Sequence, residues 1–145
     1  MYAKKRLYLS QVEWRKAKDR NAKRIATRGE NLACEYLEDK SYKILARNYR
    51  AGRVGEIDII ARDVDGIITF VEVKTRTIDA PISGIPELGF DAVDYRKQRK
   101  ILSASQEFLK SCDSSPLRWS YDVVVVIIPR HPPSLIEIAH VTNAF

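Results

Sequence analysis

Asp58 and the triplet Glu72-Val73-Lys74 have the residue types and spacing that can carry chemistry in this chain. They lie in two segments, Glu56–Ala61 and Ile67–Lys74, rich in β-branched residues and alternating in polarity, with the hairpin signal Asp65-Gly66 between them. The length of the turn decides what the carboxylates can do. A two-residue turn pairs Val64 with Ile67 and puts Asp58 and Glu72 on opposite faces. A three-residue loop, Val64-Asp65-Gly66, closes with Gly66 in the left-handed region and pairs Asp63 with Ile67. Counting back then sets Asp58 across from Glu72 and Glu56 across from Lys74. All four project from one face, while Ile57, Ile59, Val71 and Val73 share the other.

Carboxylates held opposite each other repel, and a sheet covered on both faces also strips them of water. A divalent cation relieves both penalties. Mg²⁺ takes oxygen ligands, commonly one or two carboxylates with substrate phosphate and water. Lys74, on the face of Glu72, could position or activate the attacking water or stabilise charge on the phosphate. Such a set can hydrolyse a phosphodiester. The plainer reading is a solvated face with cross-strand ion pairs, Glu56–Lys74 and Glu72–Lys74, and spacing alone does not choose between the two.

The elements that must position these residues follow from pattern. Ser10-Gln11-Val12-Glu13 is a capping-box signature, so a basic helix is expected to about Ala26. Thr27-Arg28-Gly29-Glu30 repeats it and opens a second helix, whose apolar stripe is Leu32, Ala33, Tyr36 and Leu37 and whose end is Lys40-Ser41. Tyr42–Tyr49 reads as a strand, and Arg50-Ala51-Gly52-Arg53 as a loop. Thr75–Phe90, with Pro81, Gly84, Pro86 and Gly89, reads as a long loop. A helix is expected over Asp91–Lys110, with Ile101, Ala104, Ser105 and Phe108 on its apolar face and Arg96, Lys97, Arg99 and Lys100 in its first half. Tyr121–Ile128 is a near-continuous apolar run, the mark of a strand covered on both faces. His131-Pro132-Pro133 breaks it before a last strand, Leu135–Val141. The order αβββαββ implies an α/β fold with a central mixed sheet flanked by helices.

The 145 residues make one domain with a core large enough to need no disulfide. Cys34 and Cys112 stand singly, as ordinary thiols of a reducing cytoplasm. No apolar run approaches the ~20 residues of a membrane helix, and Met1–Ser10 has no apolar block of a secretory signal. The net charge is +6 and is unevenly placed. Residues 1–28 hold ten Lys/Arg, Arg24 among them, against Glu13 and Asp19, which makes the arm +8 and residues 29–145 −2. A basic arm on a near-neutral domain suggests an anionic partner, nucleic acid first, although a solubilising tail has the same charge.

Several of these segments together resemble a known family. Gly29-Glu30-Asn31-Leu32-Ala33, Ala46-Arg47-Asn48-Tyr49-Arg50, Gly55–Ala61 and Phe70–Arg76 carry the resemblance, extended by Ala92-Val93, Lys97–Lys100, Tyr121–Val124 and Asn143-Ala144-Phe145. They resemble the YraN-like bacterial family of the PD-(D/E)xK, restriction-endonuclease-like superfamily, whose members are similar to archaeal Holliday junction resolvases. The resemblance spans roughly Gly29 to Phe145. It implies that Asp58 and Glu72 ligate Mg²⁺ or Mn²⁺ and that Lys74 is the catalytic lysine. It makes Glu30 a further carboxylate reaching the metal, although Glu30 also closes the Thr27 capping box. Glu56 becomes a supporting or Lys74-pairing group. Arg76 and Lys97 become phosphate contacts, joined from charge alone by Arg96, Lys100 and Arg24, or else remain solvated charges. Asp122 is taken as structural, and Tyr49 and Trp119 as packing aromatics. Two features depart from the family pattern: the segment between Lys74 and Ala92 is longer, and Ser120-Tyr121-Asp122 lacks the usual arginine.

The function expected is therefore a metal-dependent endonuclease acting on DNA, branched or otherwise irregular, in a cytoplasmic protein that pairs as a homodimer. The rival expectation is a non-catalytic nucleic-acid-binding or adaptor protein that keeps the fold.

Overall fold

The computed structural model describes residues 11–79, 93–114, 118–130 and 136–145, with side chains from residue 19 onward. The expectations for Met1–Ser10, for Pro81, Gly84, Pro86, Gly89 and Ala92, and for His131–Leu135 lie outside these residues. The elements are α1 (Gln11–Asp39), β1 (Lys43–Arg50), β2 (Glu56–Arg62), β3 (Ile68–Ile78), α2 (Tyr95–Ser111), β4 (Trp119–Pro129) and β5 (Glu137–Val141). The strands form one mixed sheet in the order β1-β2-β3-β4-β5, parallel only between β3 and β4. This α/β arrangement, with a helix on each face, is consistent with a restriction-endonuclease-like fold.

The β2–β3 turn is the three-residue loop expected from the sequence. Asp63 N–H donates to the Ile67 carbonyl (3.0 Å) and Gly66 N–H to the Asp63 carbonyl (3.1 Å), with Gly66 at φ 83°. The Asp63 carboxylate ties the turn by accepting from the amides of Asp65 (3.0 Å) and Ile67 (2.8 Å), the local bonding that favours aspartate in turns. The register Arg62↔Ile68 to Ile59↔Val71 follows. Asp58 and Glu72 are the next residues of the two strands, just past the last pair of the ladder.

Two apolar layers sandwich the sheet. On one face Ala33, Cys34 and Leu37 of α1 pack against Ile59, Ala61, Val71, Val124 and Val126. On the other, Ile101 and Ala104 of α2 pack against Ile57, Ile60, Phe70, Val123, Val125 and Ile127. Residues 123–128 of β4 are buried throughout because both helices cover them.

Four boundaries differ from the sequence expectation. α1 is a single continuous helix, so Thr27-Arg28-Gly29-Glu30 opens nothing, and the basic helix expected in the arm is the first part of α1. A capping box is only a local signature, and continuing the helix keeps every backbone bond it would have replaced. Residues 19–28 of α1 are exposed except half-buried Ile25, and the first buried position is Gly29. α2 begins at Tyr95 rather than near Asp91, because Asp94 caps it by accepting from Lys97 N–H (2.9 Å). β3 runs on past Lys74 to Ile78, taking Thr75–Ile78 out of the expected loop, since β4 offers it a parallel partner as far as Ile78↔Pro129. β5 begins at Glu137 rather than Leu135. Trp119 opens β4 at 47% exposure, on the rim rather than in the core, whereas Tyr49 packs edge-on against Phe108 at 5.4 Å.

One alternation also fails. Ile57 lies in the α2-side layer, not with Ile59, Val71 and Val73. Between the pairs Arg47↔Ile59 and Tyr49↔Ile57 lie Asn48 and Asp58, and Asn48 has φ 48°. That left-handed residue resets the pleat, which sends both Tyr49 and Ile57 to the α2 side.

Gly29 marks where α1 meets the sheet. A Cβ there would overlap the Thr75 side chain, its Cβ (2.9 Å) included. Gly29→Ala should therefore destabilise by about 1–3 kcal/mol despite alanine's better helix propensity. Urea unfolding reads this; an unchanged or raised midpoint would mean that the helix can move off β3 freely.

Candidate active site

Asp58 and Glu72 meet where the β2–β3 ladder ends. Beyond Ile59↔Val71 the Asp58 carboxylate takes over a backbone partner, accepting from Val73 N–H at 2.8 Å. Burial raises the Asp58 pKa, and the adjacent Glu72 adds to it as a like charge and as a hydrogen-bond neighbour; the group is pushed up to about 7. The Val73 amide and the Lys97 ammonium pull the other way. Glu72 Oε2 lies 3.3 Å from Lys97 Nζ, yet it is buried and has no hydrogen bond of good geometry. A carboxyl that resists ionising beside one with an unsatisfied oxygen is a site short of positive charge.

Lys74 follows on β3, half-buried and opposite Val125 in β4. Glu30, half-buried on α1, accepts from Asn48 Nδ2 (3.3 Å). Its pKa is raised by burial and then by the charge of Asp58, so the two share one electrostatic neighbourhood. Among the described residues no three His, Cys, Asp or Glu side chains converge at metal-ligand spacing. Glu30 thus stands beside the Asp58–Glu72 pair without completing a three-carboxylate cluster. With the Thr27 cap also gone, Glu30 is read through its bond to the irregular Asn48.

Glu56 is engaged by Arg50 (Oε2 to Nε, 3.3 Å) on the neighbouring strand. Arg76 is exposed near the end of β3, while Arg96 and Lys100 are exposed on α2 with half-buried Lys97 beside them. Arg24 is exposed on the projecting part of α1. Asp122 is buried, bonded to His140 Nε2 (2.8 Å) and to the Asn143 amide (3.1 Å), which makes it a tie between β4, β5 and the C-terminus. Cys34 and Cys112 are free thiols.

Sequence reasoning does not find the parts that Lys97, Asn48, Arg50 and Arg53 play here. Lys97 was assigned to phosphate, not to Glu72, because an ion pair between α2 and β3 depends on how the helix docks. Asn48 carried a signal, since asparagine tolerates the left-handed region better than most residues. Arg50, the last residue of β1, and Arg53, on the β1–β2 connection, join Lys97 and Lys100 around a cleft beside Glu56. The close approach of Gly55 to α2 makes that cleft: a Cβ there would stand 2.5 Å from the Lys100 carbonyl oxygen.

An oxygen-seeking divalent cation suits this site. Two carboxylates could bind it, Glu72 Oε2 makes no hydrogen bond, and water or phosphate oxygens could fill the remaining positions. No helix among the described residues is long and apolar enough to cross a membrane.

Fold and site together define an α/β protein with a two-carboxylate centre at the open end of a β-hairpin. Residues 29–126 match the model of the uncharacterised protein family UPF0102, the YraN family, and the chain belongs to it. It is 37% identical to a UPF0102 protein of Caldanaerobacter subterraneus over 125 residues, 86% of this chain and 97% of that one. It is 44% identical to one of Alkaliphilus oremlandii, covering 85% of this chain and 98% of the relative. With one of Geobacter sulfurreducens it shares 41% identity over 83% of this chain and 88% of the relative. The matched region begins at Gly29, the first buried position of α1 among the side chains described.

Proposed function

We propose that this protein is a Mg²⁺- or Mn²⁺-dependent endonuclease that hydrolyses phosphodiester bonds of DNA. The observation that carries the reading is the Asp58–Glu72 pair: two carboxyl groups forced together at a strand end, one of them driven up to about 7. Evolution tolerates such a costly arrangement chiefly where charge is needed for binding or chemistry. Asp58 and Glu72 would hold the cation, which supplies Lewis-acid polarisation of the phosphate and a more acidic bound water. Lys74 then orients the water or meets the charge that develops on phosphate. Lys97, 3.3 Å from Glu72, holds that carboxylate in place. Glu30 of α1, held by Asn48 of β1, adds a further negative charge to the neighbourhood of Asp58. Symmetric cutting of two strands needs two such sites related by a two-fold axis, which a homodimer supplies.

The test is a panel of linear, flapped, gapped and four-way DNA, incubated with Mg²⁺, Mn²⁺ or EDTA. Metal-dependent cleavage of any member supports the reading. Binding without cutting in every condition replaces it with the adaptor reading.

α1 provides a second expected result. Arg20, Lys23, Arg24 and Arg28 are all exposed on its projecting part. Replacing the four with glutamine should weaken DNA binding at low salt and reduce the slope of log affinity against log salt by up to about 3.6. Thermal unfolding should hardly move, because none of these side chains is buried. An unchanged slope would show that the helix does not meet the phosphate backbone.

A further inference from the structure

Two adjoining clefts lie along α2, and the nearer one reaches the carboxylate pair through Lys97. The first, between the β1–β2 connection and α2, is lined by Arg50, Arg53, Lys97 and Lys100, with Gly52 and Gly55 on its floor and Glu56 as its acidic member. Lys97 joins it to Glu72 through their 3.3 Å contact. Lys100 is shared with the second cleft, where Tyr95, Arg96 and Arg99 stand. The feature that sets this surface apart is Tyr95. It is 74% exposed at the first turn of α2, and the Arg99 guanidinium lies over its ring at 5.9 Å. A tyrosine left this far in water, while Ile101 and Ala104 of the same helix are buried, does nothing for the core.

A row of cations that ends at an exposed aromatic ring suits a chain of phosphates with an unpaired base. We infer that these clefts form a track for single-stranded nucleic acid: Arg53 and Lys100 hold successive phosphates and a base stacks on Tyr95. Duplex DNA keeps its bases stacked inside and has none to offer the ring, so the track distinguishes a frayed, flapped or gapped end from a blunt one. Gly52, at φ 56° and with open space where a Cβ would stand, lets the backbone of the connection come close to a phosphate. This deepens the nuclease reading, on which it rests for the direction of the strand: the track leads to the Asp58–Glu72 pair, so the preferred substrate is DNA with a single-stranded stretch beside the bond cut.

Binding in EDTA tests the track apart from cleavage. The probe is fluorescein-labelled oligothymidylate of about 12 nucleotides, within the size that such grooves accept, against a blunt duplex. Tyr95→Ala should weaken binding of the strand about tenfold and of the duplex less than about twofold. Tyr95→Phe, which keeps the ring, should bind like wild type. Arg53→Gln and Lys100→Gln should each lower the salt slope for the strand by about 0.7. Equal losses on strand and duplex in Tyr95→Ala, or no loss on either, would overturn the proposal. So would displacement of the strand by polyglutamate at equal charge with the same Tyr95 dependence, which would assign the surface to an acidic peptide. A protein that shows the Tyr95-dependent preference but cuts nothing keeps the track and loses the nuclease reading. One that cuts but binds strand and duplex alike does the reverse.

Discussion

Asp58→Asn and Glu72→Gln should each reduce metal-dependent cleavage by more than about a thousandfold, the scale on which removal of an essential group from a catalytic unit is felt. Both substitutions keep side-chain size and remove ligand charge. Lys74→Ala should abolish cleavage as well but leave metal binding largely intact, because its role is with water or phosphate rather than the cation. Calorimetric titration with Mn²⁺ separates the cases: heat is lost in the two carboxylate variants and retained in Lys74→Ala. In EDTA the carboxylate variants should bind DNA as well as wild type or better, since a negative charge facing phosphate has gone. If wild type cuts nothing with either metal and the three variants match it in metal and DNA binding, the chain is a binder built on a nuclease-like frame.

The parts of this site legible in the sequence depend on short-range geometry. Loop length set the hairpin register, and the Asp63–Ile67 pairing carries the ladder as far as Ile59↔Val71, next to Asp58 and Glu72. The apolar run in β4 showed a strand buried on both faces, and the order of elements required a crossover and hence a mixed sheet. What was not legible depends on contacts distant in sequence. Thr27–Glu30 has the letters of a helix start, and only the packing of Gly29 on Thr75 shows that the segment lies mid-helix. The strict alternation expected around Asp58 is broken by Asn48 on another strand. Arg50 meets Glu56 from β1, a contact that the hairpin alone does not reveal. Lys97 reaches Glu72 from a helix more than twenty residues on, and no spacing rule forecasts that.

The pH dependence of stability should carry the signature of Asp58. Its pKa rises from an ordinary 3.8 to about 7 in the folded protein. Between those values the unfolded chain has lost the proton while the folded one keeps it, so the folded state binds more protons and stability falls as pH rises. The decline should run from about pH 4 to about pH 7 and level off above, when both states are ionised. A shift of this size is worth on the order of a few kcal/mol. Glu30, raised by burial and by Asp58, contributes with the same sign. Asp58→Asn cannot titrate and leaves Glu72 without its like-charged neighbour, so its Tm in EDTA should stay flatter over this range and exceed that of wild type at pH 8. Mg²⁺ added at pH 8 should raise the Tm of wild type, where a cation takes the place of the missing proton, and do little for Asp58→Asn. Differential scanning calorimetry of both proteins across this range, with and without Mg²⁺, reads all three effects. Parallel Tm profiles would mean that Asp58 ionises as an ordinary surface aspartate, and the case for a charge-hungry site at the end of the hairpin would fall with it.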